Sequence, residues 1–282
     1  MSTAGYPFPR LRRTAKGWAE SWNDVGRQTQ FYGQTIKGLG SAFGHYRVEL
    51  VRLIAQMSLG VGALAIIGGT VVVVGFLTLS TGALIAVQGY SQLQQIGVEA
   101  LAGFTSAFLN VRLVGPLIAG IGLAATIGAG ATAQLGAMRI SEEIDALEVM
   151  GIRSVAYLAS TRVAAGVIIV IPLYCIAVLM AFLATRVGTT AVLGQSTGVY
   201  DHYFNTFLNP MDLIYSFLQA ISMAVVVMLV HTYYGYTATG GPAGVGEAVG
   251  RAVRTSLIAA VFVTLFVSLA IYGQSGNFHL SD

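Results

Sequence analysis

The sequence is short of charge, cysteine and catalytic motifs, and each shortage narrows what the chain does. Lys, Arg, Asp and Glu make up 10% of its 282 residues, against about 25% in a soluble domain. None of the four occurs in 53–98, 113–138, 163–185, 213–246 or 255–281. Each gap is longer than the roughly 20 residues that cross a hydrocarbon core, and soluble core helices rarely run so far without a charge. The single cysteine, Cys175, lies in an apolar run. It cannot form an internal disulfide and reads as core filler. His-Glu-x-x-His and the Walker A pattern are both absent, which argues against that class of metallohydrolase and against this chain binding ATP in that way. The basic start lacks an early apolar core and so does not read as a secretory signal.

What is present is apolar, at 55%, and rich in glycine, at 35 residues, as closely packed membrane helices require. The expectation is an all-α integral membrane protein with five transmembrane helices near 61–88, 113–136, 163–185, 213–235 and 255–273. The first span, interrupted by Gly68-Gly69, Gly75 and Gly82, is either continuous or broken and re-entrant. Residues 1–56 form a basic N-terminal region and 57–282 the membrane domain. Eight Lys or Arg lie in 1–56, three arginines in 137–162 and two in 236–254, while 89–110, 187–210 and 274–282 have none. That alternation predicts a cytoplasmic N-terminus, an extracytoplasmic C-terminus and a cytoplasmic segment at 137–153. The net charge of +3, concentrated at the N-terminus, suits anionic headgroups rather than nucleic acid.

Outside the spans, Tyr32, Ile36, Leu39, Phe43, Tyr46, Leu50, Leu53 and Met57 recur at helical spacing. They predict an amphipathic helix lying at the membrane interface or packed on a neighbouring subunit. A short helix is expected near 198–208. His202 has no second His or Cys at ligand spacing, so no metal site is expected. His231 with Tyr233, Tyr234 and Tyr236 reads as an aromatic interface belt. The glycine run at 240–246 reads as a turn entering the last helix, because no Lys-Ser or Lys-Thr follows it.

The most informative segment is 139–153. It holds Glu142, Glu143, Asp145 and Glu148, four of the chain's 12 acidic residues, between two apolar runs. Ser141 is a plausible N-cap, the acids suit the first turn, and Gly151 suits the C-terminal end, giving a helix over 142–150. Glu142, Asp145 and Glu148 share one face; Ile144, Leu147 and Met150 share the other. So short a helix needs a surface to pack on. That surface is either a partner groove with a basic rim or the chain's own bundle. Adjacent Glu142 and Glu143 point about 100° apart, so they are not a facing acid–base pair.

The stretch Gln134-Leu-Gly-Ala-Met-Arg-Ile-Ser-Glu-Glu-Ile-Asp-Ala-Leu-Glu-Val-Met-Gly-Ile-Arg153, followed by Tyr157, Leu158 and Arg162, closely resembles the signature of the MlaE/YrbE permeases. These are the membrane subunits of ABC transporters serving MCE lipid-transfer proteins. In character the chain is most like a mycobacterial or other actinobacterial YrbE subunit of the B-type. The resemblance implies that the segment is a coupling helix docking on an ATPase through Arg139, Glu142, Glu143, Asp145, Leu147, Glu148, Met150, Gly151 and Arg153. It implies a second permease subunit of the A-type, two ABC ATPases that carry ATP and Mg, and a hexamer of MCE proteins. It further implies import of lipids or fatty acids across the inner membrane. This chain itself is expected to bind no cofactor and to catalyse no reaction. Leu77, Leu84, Val87, Leu117 and Ile121, on the first two spans, are the expected lining of a lipid pathway. Charge-free spans argue against an ion-coupled carrier. The rival readings are an intramembrane lipid-modifying enzyme, with His231 as its one candidate, and a scaffold that only anchors the MCE assembly.

Overall fold

The computed structural model describes the backbone over residues 9–59 and 69–272, and side chains over 22–57 and 69–271. Among these residues the chain is all helix, with no strand. In chain order the helices are α1 (Pro9–Gly44), α2 (Arg47–Leu59), α3 (Thr70–Gln95), α4 (Glu99–Ile140), α5 (Glu143–Val149), α6 (Val155–Val192), α7 (Thr197–Phe207), α8 (Pro210–Tyr236) and α9 (Gly241–Tyr272). Five of them, α3, α4, α6, α8 and α9, are long and apolar enough to cross a membrane. The chain is an all-α integral membrane protein.

The spans differ from expectation mainly in length. At about 1.5 Å per residue, the 42 residues of α4 and the 38 of α6 outrun a hydrocarbon core of about 30 Å. Residues assigned from the charge pattern to loops, 99–112 and 241–254, are helical. Charge marks where lipid ends, whereas backbone hydrogen bonding carries the helix on. The first span runs unbroken from Thr70 to Gln95 through Gly75 and Gly82; Gly68 lies outside the described residues. Gly82 is an approach point rather than a break, since a Cβ there would stand 2.7 Å from the Ala181 carbonyl oxygen of α6. The α3 residues Thr70, Val74, Thr78, Gly82 and Ala86, one turn apart, form its buried face, the small-residue packing that membrane helices use in place of large apolar side chains.

The core gathers Val74 of α3, Leu123 and Ala124 of α4, Val170 and Leu173 of α6, and Val227 and Met228 of α8. Helices α4 and α6 each contain two π-helical stretches: Asn110–Val114 and Leu123–Gly128 in α4, Val155–Ser160 and Gly188–Val192 in α6. Such turns leave carbonyls open to other partners, and the Ser216 hydroxyl of α8 donates to Val111 O inside the first. At one end of the bundle Arg112 pairs with Asp212 at 2.8 Å and lies over the Phe108 ring.

The N-terminal region forms two helices, not one. The chain turns at His45-Tyr46 between α1 and α2. The buried positions of α1 are Phe31, Thr35, Gly38 and Ala42, whereas Ile36 and Phe43 of the expected stripe face outward. Close backbone approach explains the exchange. The Ser160 hydroxyl donates to Thr35 O at 2.8 Å, and a Cβ on Gly38 would collide with that hydroxyl. On α2, Leu50 and Leu53 pack against Ala164 and Ala165 of α6 as their spacing implies.

His231 is fully buried rather than part of an interface belt. Its Nδ1 lies 2.8 Å from the Thr132 hydroxyl and its Nε2 3.1 Å from that of Ser256, so it pins α8 to α4 and α9. Cys175 faces outward instead of filling the core.

Candidate functional site

Helix α5 is mounted between the ends of α4 and α6. Ser141 does not cap its start. Helix α4 runs on to Ile140, and the N–H of Ser141 donates to Ala137 O at 3.0 Å, closing α4. The turn into α5 is made by Glu142, whose φ of 59° is the one positive value at a non-glycine among the described residues. A left-handed conformation costs such a residue about 1–2 kcal/mol. At the other end Gly151 has φ 78°. Its N–H donates to Glu148 O, and that of Ile152 to Leu147 O, both at 3.0 Å. This is the Schellman pattern that only a residue at ease with positive φ completes cheaply. The helix between is Glu143–Val149, one residue shorter at each end than 142–150.

The residues that the sequence singles out separate into two groups. The first group ties α5 to the bundle. Ile144 is fully buried in a small core with Leu135 of α4 and Leu158 of α6, and Leu147 packs against it. Asp145 accepts from Arg139 of α4 at 2.6 Å. The Glu148 carboxylate accepts from the hydroxyls of Ser154, at 2.5 Å, and Tyr236 of α8, at 3.0 Å. Two of the three acids that share one face by spacing are therefore held by the chain itself. The second group points away. Met150 is 65% exposed and Val149 90% exposed. Glu142, Glu143 and Arg153 are also exposed, as are Asp145 and Glu148 beside their partners, with Glu143 accepting from the Ser141 hydroxyl at 2.9 Å. The outward surface is thus two apolar knobs beside carboxylates, with Val149 in place of Ile144 and Leu147.

Ser154 and Tyr236 escape sequence reasoning. A serine after a Gly-Ile-Arg turn and a tyrosine at a helix end carry no motif, and only the fold brings them to Glu148. Two cavities flank the segment. One, of about 550 Å³, lies between α1 and the turn after α5 and is lined by Lys37, Glu148, Arg153 and Ser154. The other, of about 370 Å³, lies between α2, α4 and the start of α6.

The pathway candidates lie elsewhere. Leu77, Leu84 and Val87 are exposed on α3, away from its packed face, and Leu117 and Ile121 are half-buried on α4. None lines either cavity. No group of His, Cys, Asp or Glu among the described residues is arranged to hold a metal. Buried His231, held by two hydroxyls, has no carboxylate hydrogen-bonded to it.

Residues 61–270 match the protein family described as Permease MlaE. A probable ABC transporter permease protein of Rickettsia felis is 28% identical over 247 residues, covering 84% of this chain and 92% of that protein. The chloroplastic protein TRIGALACTOSYLDIACYLGLYCEROL 1 of Arabidopsis thaliana is 28% identical over 203 residues, 71% of this chain and 57% of that one. The intermembrane phospholipid transport system permease protein MlaE of Haemophilus influenzae is 24% identical over 201 residues, 69% of this chain and 75% of that one.

Proposed function

The chain belongs to the MlaE permease family, and from that premise we propose that it is the lipid-transporting permease subunit of an ABC transporter in the inner membrane. ATP and Mg are handled by two ATPase subunits on separate chains. Helix α5 is the coupling helix on which one of them docks. A second permease subunit, the A-type paralogue to this chain's B-type, completes the membrane unit. A hexamer of MCE proteins stands on the outer side, as the resemblance of the 134–153 signature implies. The transport direction we propose is import of lipids or fatty acids, in an actinobacterial setting. The arginine distribution supports a cytoplasmic N-terminus and α5, with an extracytoplasmic C-terminus.

One observation carries this reading: α5 is bonded to the bundle on one side and bare on the other. Its fastened side reaches α4 through Arg139–Asp145, α8 through Tyr236–Glu148 and the start of α6 through Ser154–Glu148. Displacement of α5 is therefore delivered to three spans at once. Its bare side offers Val149 and Met150, the kind of apolar anchor that fills a partner's pocket. Closure of the ATPases on ATP moves α5, α5 moves the spans, and the lipid space between two permease subunits changes shape. Leu77, Leu84 and Val87, exposed on α3, are suited to line that space once a second subunit stands opposite, with Leu117 and Ile121 behind them. No residue of this chain makes or breaks a covalent bond.

The test is the double variant Val149→Asp/Met150→Asp in the assembled transporter. Both side chains are exposed, so the fold should survive while the ATPases fail to co-purify and ATP-dependent lipid transport stops. Retained ATPases with undiminished transport would remove α5 from the coupling role. Reversing Asp145 and Glu148 is a poorer test, because both also bond to other helices of this chain.

A further inference from the structure

The cavity of about 370 Å³ is bounded by charge of both signs. Arg162 and Arg52 line it together with Glu49 and Glu143, alongside Gln134 and Tyr157. Arg162 is 5% exposed and makes no ion pair among the described residues. One terminal nitrogen donates to Leu158 O of its own helix at 3.1 Å, the other contacts the Met138 sulfur at 3.9 Å, and Nε has no partner. A guanidinium in so sheltered a place is costly unless an anion meets it. Of the two carboxylates of the cavity, Glu49 also acts on Arg162 electrostatically, though from beyond ion-pair distance. Glu49 pairs with Arg52 at 3.4 Å, and Glu143 accepts from Ser141.

The wall formed by α2 says what kind of ligand comes here. This helix packs Leu50 and Leu53 inward, yet it leaves Val48 and Val51 exposed beside Arg47 and Arg52. Apolar and cationic side chains sharing an outer surface suit a helix lying at headgroup depth. A purely anionic ligand would meet Arg162 and Arg52 but would also face Glu49 and Glu143. A ligand carrying a phosphate and an ammonium answers all four.

We propose that this cavity holds the headgroup of a zwitterionic phospholipid of the adjoining leaflet. Its phosphate oxygens accept from Arg162 and Arg52, and its ammonium donates to Glu49 and Glu143. The site is separate from the pathway residues on α3 and α4, so this lipid is a bound companion rather than cargo. Because Glu143 also begins α5, the lipid braces the interfacial helix against the coupling helix.

The purified full-length chain, in nanodiscs of equal phosphatidylethanolamine and phosphatidylglycerol, is extracted and its retained lipid counted by native mass spectrometry. The wild-type chain retains one phosphatidylethanolamine, favoured about tenfold, the equivalent of one charge-assisted hydrogen bond. Arg162→Gln abolishes retention. Should that variant fold poorly, Arg52→Gln and Glu49→Gln, both on α2, decide the matter: the first weakens retention and the second brings the two lipids to parity. Unchanged retention in both α2 variants, equal retention of the two lipids by the wild-type chain, or displacement of the lipid by inorganic phosphate would each overturn the assignment. No ATPase is present, so the result stands apart from the docking role of α5.

Discussion

Two short helices, α5 and α7, join spans at opposite ends of α6, and they are treated differently by the fold. Helix α7 is absorbed into the bundle. Its Tyr200 is buried, and its backbone comes so near α4 that a Cβ on Gly103 would strike Tyr200 O. Burial pushes the Tyr200 phenol up to about 12. Phe204 packs edge-on to Phe182 of α6, and Arg186 donates to both carboxylate oxygens of Asp201. Its exposed large apolar side chain, Val199, is 38% exposed. Helix α5 buries Ile144 and then leaves Val149 and Met150 bare. A connector that only closes a fold hides its apolar residues. One that hides half and offers half is built for a further surface.

The largest expected effect breaks that contrast directly. Val149→Asp/Met150→Asp removes two apolar anchors worth about 1.5–3 kcal/mol each when buried, so ATPase affinity measured by surface plasmon resonance should fall by more than about 100-fold. Val199→Asp on α7 should leave it unchanged. Next comes the pair at the α7 end of the bundle. Asp212→Ala leaves the half-buried Arg112 charge without its carboxylate and should lower stability in detergent unfolding by about 3 kcal/mol, with no specific loss of ATPase binding. Gly151→Ala should cost about 1–2 kcal/mol and loosen α5, lowering transport coupled to each ATP more than it lowers the melting temperature. The matching change at Gly194, where φ is 77°, should move the melting temperature alone.

The smallest effect is one of acidity. The hydrogen bond from Arg186 holds the Asp201 carboxyl below its ordinary value. A group depressed in the folded state stabilises fully above its unfolded pKa, near 3.9, and loses that contribution as pH falls through the folded value. Thermal unfolding should therefore weaken slightly below about pH 4, and Arg186→Gln should remove that part of the acid sensitivity.

The same two helices separate what local sequence encodes from what only distant contacts decide. Charge gaps are enough to count five spans, because lipid tolerates few ionised side chains. The glycine at 151 is enough to end α5, because positive φ is cheap only there. The faces of α5 are not legible in this way. Helical spacing groups Ile144 with Leu147 and Met150, yet the bundle reaches only the first two. The acids group together by spacing, yet Arg139, Ser154 and Tyr236 claim two of them. The stripe of α1 misleads for a related reason: Thr35, Gly38 and Ala42 look like fillers in a sequence, but close backbone contact makes them the interface. Tertiary partners that lie far away in the chain decide these points, and no local pattern encodes them.

The central claim, that the bare face of α5 meets the ATPase, is tested most directly by cross-linking from single cysteines. With Cys175 replaced by serine, Met150→Cys in the assembled transporter should cross-link to the ATPase subunit, and Val199→Cys should not. Cross-linking of the ATPase from position 199 but not from 150 would contradict the account.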